Sequence, residues 1–149
     1  MKLENEIHQK EFPSEHNKVL LNILYTHSFL VTKISESLSS HKITRQQYNV
    51  LRILRGQHPQ SVPLGLIRER MLDKMWDASR MVERLRLKGL IFRKANKKDK
   101  RAVAIGITPK GLKFLEDIDP TAKSFDAFLN NLSIEEAKKL NILLDKLRG

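Results

Sequence analysis

Eleven cations crowd one stretch of this chain: Lys74, Arg80, Arg84, Arg86, Lys88, Arg93, Lys94, Lys97, Lys98, Lys100 and Arg101. Only three acids, Asp77, Glu83 and Asp99, share those 28 residues. Lysine and arginine side chains donate hydrogen bonds and accept none, so so one-sided a cluster calls for a surface of acceptors. Phosphate oxygens repeated along a nucleic acid are such a surface. The clustering extends outward. Residues 42–113 hold 19 Lys and Arg against five Asp and Glu, whereas the two ends together hold nine against 12. A surface that only needs solvation need not segregate its charge, but a phosphate-binding module must.

Other chemistry is poorly served. There is no cysteine in the 149 residues, which removes disulfides, cysteine–zinc sites and thiol redox sensing. The five histidines, His8, His16, His27, His41 and His58, lack the spacing of a zinc motif. Glu15 and His16 could meet His41 across a fold, but ordinary surface or core roles are expected, so no metal and no cofactor are assigned. No phosphate-cradling glycine loop, nucleophile elbow or pair of carboxylates in a plausible cleft is present, which argues against an enzyme. The start of the chain lacks the apolar core of a secretion signal, and no apolar run approaches the roughly 20 residues that span a membrane. A soluble, cytoplasmic protein is expected.

The cations need elements to hold them. Residues 1–13 carry no clear period and read as a mobile arm. Ser14 can cap a helix running to about Ser39, with an apolar stripe of Leu20, Ile23, Leu24, His27, Val31, Ile34 and Leu38. Val19, Leu21, Phe29 and Leu30 lie off that stripe, so the helix should be buried on more than one side, between subunits or in a monomer core. Thr44 to Gln47 reads as a capping box, and Gly56 as the stop of the helix that it starts. Ser61–Val62 could form a short strand. Leu64, Ile67 and Met71 mark a short helix, Asp73–Lys74 a turn, and a second short helix follows from about Met75 to Lys88, with Met75, Ala78, Val82 and Leu85 inward and Gly89 as its stop. Two short helices across a tight turn are a helix-turn-helix signal.

The period then becomes extended. Leu90–Arg93 and Ala102–Ile107 read as two strands around a lysine-rich turn, with Gly106 as a weak point in the second. Thr108–Pro109 opens a helix that Pro120 should kink or break near Asp119. Ala122, Phe125, Phe128 and Leu129 resume the pattern. A second capping box, Ser133 to Glu136, starts a last helix with Leu140, Leu143, Leu144 and Leu147 at helical spacing. The fold expected is mainly α with a small β-hairpin wing. It is one domain over 1–149, with a winged helix at 43–111 and dimerisation helices at 14–40 and 112–149. A helix can enter the major groove, and a flexible basic hairpin tip can follow the backbone or enter the minor groove.

At this level of detail the sequence resembles the MarR family of bacterial winged-helix regulators. The motifs are Thr44-Arg-Gln-Gln-Tyr-Asn-Val-Leu, Ala78-Ser-Arg-Met-Val-Glu-Arg-Leu, Lys88-Gly-Leu-Ile-Phe-Arg, Asp99-Lys-Arg-Ala-Val and Ile107-Thr-Pro-Lys-Gly. The resemblance implies a homodimer with intertwined terminal helices that reads an inverted repeat in double-stranded DNA as a transcriptional repressor on the bacterial nucleoid. It also implies a small-molecule effector, often a phenol or other lipophilic anion. Arg101 matches a wing arginine that enters the minor groove, with Asp99 orienting it, and Ser79 and Arg80 match recognition-helix positions. Lys100 stands where arginine is commoner, and Trp76 is unusual near the start of such a helix.

Each assignment has a plainer alternative. Arg101 could only shape the turn through Asp99, and Lys97, Lys98 and Lys100 could be merely solvated. Arg80 and Arg84 compete for Asp77 and Glu83. Ser79 could be a small packing residue. Trp76 could meet thymine methyls or be a half-buried anchor, and Asp77 could accept from a cytosine amino group or only complement the helix dipole. Lys74 completes the DNA-binding set. Leu20, Leu24, Leu140, Leu143, Leu144 and Leu147 are expected at the dimer interface. The competing function is that of a non-specific nucleic-acid-binding or architectural protein.

Overall fold

The computed structural model describes residues 1–73, 77–95 and 103–149. They form helices α1 (Leu3–Glu6), α2 (Glu15–Ser39), α3 (Arg45–Gln57), α4 (Leu64–Arg70), α5 (Ala78–Leu87), α6 (Pro109–Lys123) and α7 (Ile134–Arg148). Three strands, β1 (Val62–Pro63), β2 (Ile91–Ala95) and β3 (Val103–Ile107), make one antiparallel sheet in the order β1-β3-β2. The chain divides into two compact units, 34–120 and the two ends, 1–33 with 121–149.

The 34–120 unit holds the core. Val50, Leu51 and Leu54 of α3, Ile67 of α4, Val82 and Leu85 of α5, and Ile105 and Ile107 of β3 are all buried. Burial of one such side chain contributes about 1.5–3 kcal/mol. Helix α3 starts as its sequence dictates: Gln47 N–H donates to Thr44 Oγ1 and Thr44 N–H to Gln47 Oε1, both at 3.2 Å. It does not stop at Gly56, as the sequence suggested, but passes through that residue to Gln57. The terminator is Pro59, which drives His58 before it into an extended conformation (φ −58°, ψ 137°). Arg55 Nη1 donates to both carboxylate oxygens of Asp119, at 3.0 and 2.8 Å, and so ties α3 to α6.

Helix α5 ends in a Schellman motif. Leu90 N–H bonds the Leu85 carbonyl at 3.1 Å and Gly89 N–H bonds that of Arg86 at 2.8 Å, with Gly89 at φ +71° where a side chain would be strained. The chain emerges directly into β2. Strand β3 is central, pairing Val62 with Ile105 on one side and Phe92 with Gly106 on the other. Gly106 is not a weak point. The Phe92 ring lies across it, and a Cβ added there would come within 2.3 Å of that ring.

In the unit of the two ends, Ser14 Oγ accepts from Asn17 N–H at 3.1 Å and opens α2. The first residues are not the patternless arm that periodicity suggested. They make a one-turn helix, with Leu3 buried, Glu4 paired with Lys18 at 2.6 Å and Tyr25 Oη donating to Glu6 at 2.7 Å. Four residues are too few to show a period, and long-range contacts hold them. Pro120 does not end α6, which runs on to Lys123 before a 3-10 segment, Ser124–Leu129, in which Phe125 and Phe128 stack at 6.0 Å. Ser133 and Glu136 form the expected capping box of α7.

Replacing Gly106 with Ala forces the Phe92 ring away from β3. The expected cost is about 1–3 kcal/mol, read as a lower urea midpoint with an unchanged slope. Combining Gly106→Ala with Phe92→Ala should recover part of that loss, and strictly additive losses would contradict the contact.

Candidate nucleic-acid interface

The short helix at the centre of the basic segment owes its orientation to three inward residues. Ala78, Val82 and Leu85 are buried, and α5 lies against β2. Ser79, Arg80, Arg84, Arg86 and Leu87 are therefore left exposed, with Glu83 half-buried. The helix begins at Ala78, later than the sequence reading placed it. Asp77 is its N-cap: Oδ1 accepts from the Arg80 N–H at 3.0 Å, and Oδ2 lies 3.6 Å from Arg80 Nε. One carboxylate thus closes the helix start and steadies a cation of its first turn, in surroundings exposed enough that the ion pair itself adds little.

Glu83 takes Arg86 and Arg93 as partners. Its oxygens accept from Arg86 Nε at 2.9 Å and Arg86 Nη2 at 2.7 Å, and Arg93 Nη1 of β2 stands 3.8 Å away. The Arg86 hydrogen bonds hold the Glu83 carboxyl below the usual glutamate range, against an opposing effect of desolvation. Arg84 is exposed and carries none of these bonds. Ahead of α5, Asp73 is bonded by Arg45 Nη2 at 3.3 Å and Gln46 Nε2 at 3.4 Å, which ties it to the first residues of α3. Behind α5, Lys88 Nζ donates to the Lys42 carbonyl at 2.8 Å, and Lys110 Nζ to the Lys88 carbonyl at 2.9 Å. Thr108 Oγ1 donates to the Gly89 carbonyl at 2.8 Å and accepts from Gly111 N–H at 3.0 Å.

A cleft of about 310 Å³ opens between α4, α5 and the sheet, lined by Pro63, Leu64, Ser79, Val82, Arg93, Val103 and Ile105. Its lining is mostly apolar, with Arg93 and Ser79 as the polar residues. Lys74, Trp76, Lys97, Lys98, Asp99, Lys100 and Arg101 lie outside the described residues. Ser79, Arg80 and Arg84 share the outward side of α5, beside the strands that lead to the hairpin tip. Arg93 was not singled out from the sequence, whereas Asp73 was named only as a turn residue and Glu83 only as a carboxylate within reach of Arg80 and Arg84. The three-residue spacing of Glu83 and Arg86 was a usable signal, whereas the pairing with Arg93 depends on the turn at Gly89.

Of the leucines assigned to an interface, Leu20 and Leu24 on α2 and Leu140, Leu143 and Leu147 on α7 are exposed, and Leu144 is half-buried. No residue of α7 is buried. Among the described residues there is no group of three His, Asp or Glu able to hold a metal ion, and no helix is long and apolar enough to cross a membrane.

A helix-turn-helix whose second helix runs into a β-hairpin, on a three-stranded sheet, defines a winged helix-turn-helix protein. No protein-family model matches the chain. It is 29% identical over 115 residues to the HTH-type transcriptional regulator MhqR of Bacillus subtilis, covering 76% of this chain and 78% of that one. It is similar in structure to a MarR transcription factor from Planctomyces limnophilus, with a TM-score of 0.69, 29% identity and coverage of 91% and 98% of the two chains. A mutant MarR from E. coli complexed with operator DNA superposes with a TM-score of 0.81, at 24% identity over 93% and 99% of the chains. In fold the chain is similar to these MarR proteins, the resemblance that its motifs carried.

Because hydrogen bonding from Arg86 depresses the Glu83 carboxyl, that group should titrate below the ordinary glutamate value of about 4.3. Its interactions are fully present above that value and are lost as pH falls through the depressed midpoint. Carboxyl-carbon NMR titration checks this, and a Glu83 midpoint at or above the ordinary value would contradict the pairing.

Proposed function

We propose that the protein is a sequence-specific transcriptional regulator, a repressor, that binds an inverted-repeat operator in double-stranded DNA as a homodimer. One observation carries the reading: burial of Ala78, Val82 and Leu85 turns Ser79, Arg80 and Arg84 outward together, next to the base of a basic hairpin. In this role α5 enters the major groove. Ser79, Arg80 and Arg84 meet base edges and phosphates, joined by Lys74, Trp76 and the capping Asp77 at the helix start. The hairpin residues Lys97, Lys98 and Lys100 contact phosphates. Arg101, oriented by Asp99, reaches into the minor groove, where the potential is most negative. The relatives point the same way, since MhqR is a transcriptional regulator and the E. coli MarR mutant was seen with operator DNA.

The division of labour assigns DNA reading to 43–111 and dimerisation to 14–40 and 112–149. The support is an incomplete apolar surface: no residue of α7 is fully buried, while Leu140, Leu143, Leu147, Leu20 and Leu24 stand exposed on the unit of the two ends. A second copy would cover them, with Leu144, and hold two recognition helices at the half-site separation of about 34–36 Å. The protein would then act on the bacterial nucleoid, within the cytoplasm. A small lipophilic anion or phenol suits the apolar cleft with Arg93 at its edge. Such an effector, by favouring one dimer geometry, would release the operator through a population shift.

Selection from a random duplex pool tests the central reading: an enriched inverted repeat is expected, and equal affinity for all duplexes at fixed salt would mark a non-specific architectural protein instead. On the selected duplex, Arg101→Ala should cost about 1–3 kcal/mol of binding with the dimer intact, and unchanged affinity would remove the wing from the mechanism. Replacing Leu140 and Leu144 with Asp should yield a monomer by analytical ultracentrifugation, with operator binding lost as a consequence. A monomer that retained full affinity would overturn the two-fold assembly.

A further inference from the structure

The Glu83 carboxylate is an anomaly on a face proposed to meet phosphate. It sits on α5 between Arg80 and Arg84 in sequence, half-exposed, where a negative charge opposes binding to any duplex. Its geometry gives it a different use. It grips Arg86 through two short hydrogen bonds on its own helix and approaches Arg93 Nη1 on β2. Arg93 belongs to the strand leading into the hairpin tip and pairs in register with Ile105 of the central strand. The carboxylate therefore spans from the helix proposed to read the major groove to the strand that carries the wing. Between those elements the backbone is already fixed at one end, by the Gly89 turn. The side-chain contact adds a direct link from α5 to β2 at the level where β3 also pairs with β1, Ile105 with Val62.

We propose that Glu83 is a positioning residue for specificity: bridging Arg86 and Arg93, it sets the wing at a fixed angle to the recognition helix so that both meet their grooves in one register. The inference rests on the DNA-binding reading above. Ion pairs this exposed contribute little to folding, so the consequence falls on orientation rather than on stability. Bulk electrostatics and positioning then oppose each other in sign. Removing the charge should strengthen attraction to any phosphate backbone, while loss of the angle should weaken the match to the selected operator alone.

The test compares Glu83→Gln, Arg93→Gln, their combination and the exchange Glu83→Arg with Arg93→Glu. Anisotropy is measured on the selected operator and on a scrambled duplex of equal length at one salt concentration. Glu83→Gln is expected to tighten scrambled-duplex binding about two- to threefold and to lower the operator-to-scrambled ratio about tenfold. Once Glu83 is gone, Arg93→Gln should lower that ratio little further, and the exchange should recover much of it. Equal tightening on both duplexes, or additive effects of the two single changes, would overturn the inference. A readout without DNA keeps it separate from the functional reading. Because the chain has no cysteine, Leu87→Cys and Lys94→Cys can carry a spin-label pair, diluted with unlabelled protein. The α5–β2 distance distribution should be narrow in the parent and broad with Glu83→Gln, and equal widths would sink the proposal. A wild-type protein with no preferred duplex but the expected label distances would instead defeat the DNA reading and leave the bridge standing.

Discussion

The inward packing of α5 is the constraint on which the rest of the interface depends. Ala78, Val82 and Leu85 occupy one stripe of a ten-residue helix and are essentially removed from water. With that stripe fixed, the positions of Ser79, Arg80 and Arg84 follow from 3.6-residue periodicity alone. No charged side chain has to be held outward by an ion pair. Apolar burial orients the cations, and polar contacts only refine them. That ordering suits a surface that must be wet and positive when empty, because exposed ion pairs contribute little to folding stability.

The second level of control is the set of polar anchors around α5. Asp77 closes its start, Gly89 its end, and Asp73, ahead of it, is bonded to α3. Lys88 and Lys110 spend their ammonium groups on carbonyls at the α2–α3 corner and at the helix terminus. Not every lysine and arginine of the basic segment is therefore free for a ligand. Some of the formal charge is structural, and the cations left on the outer side of α5 are a smaller set than composition suggests.

What could be read in the sequence was local. Both capping boxes, the Ser14 cap, the Thr108–Pro109 start and the Gly89 stop need only neighbours within a few residues, and all are present. Gly56 was misread because glycine and proline compete as stop signals, and Pro59 decides the end. Gly106 was misjudged because its role lies in a ring on the facing strand. Helix α1 and the Glu83–Arg93 approach were illegible for one reason: each depends on residues brought together from different elements. The leucines of α7 were legible as apolar, but no periodicity can say whether the surface that covers them comes from the same molecule.

The small sheet has two outer strands, and each carries at least one residue that suits it poorly to further pairing. On β1 that residue is Pro63, which has no N–H to offer a neighbour. On β2 it is Arg93 with Lys94, whose like charges repel the same edge of another copy. The sheet thus carries its own guard against strand-to-strand growth.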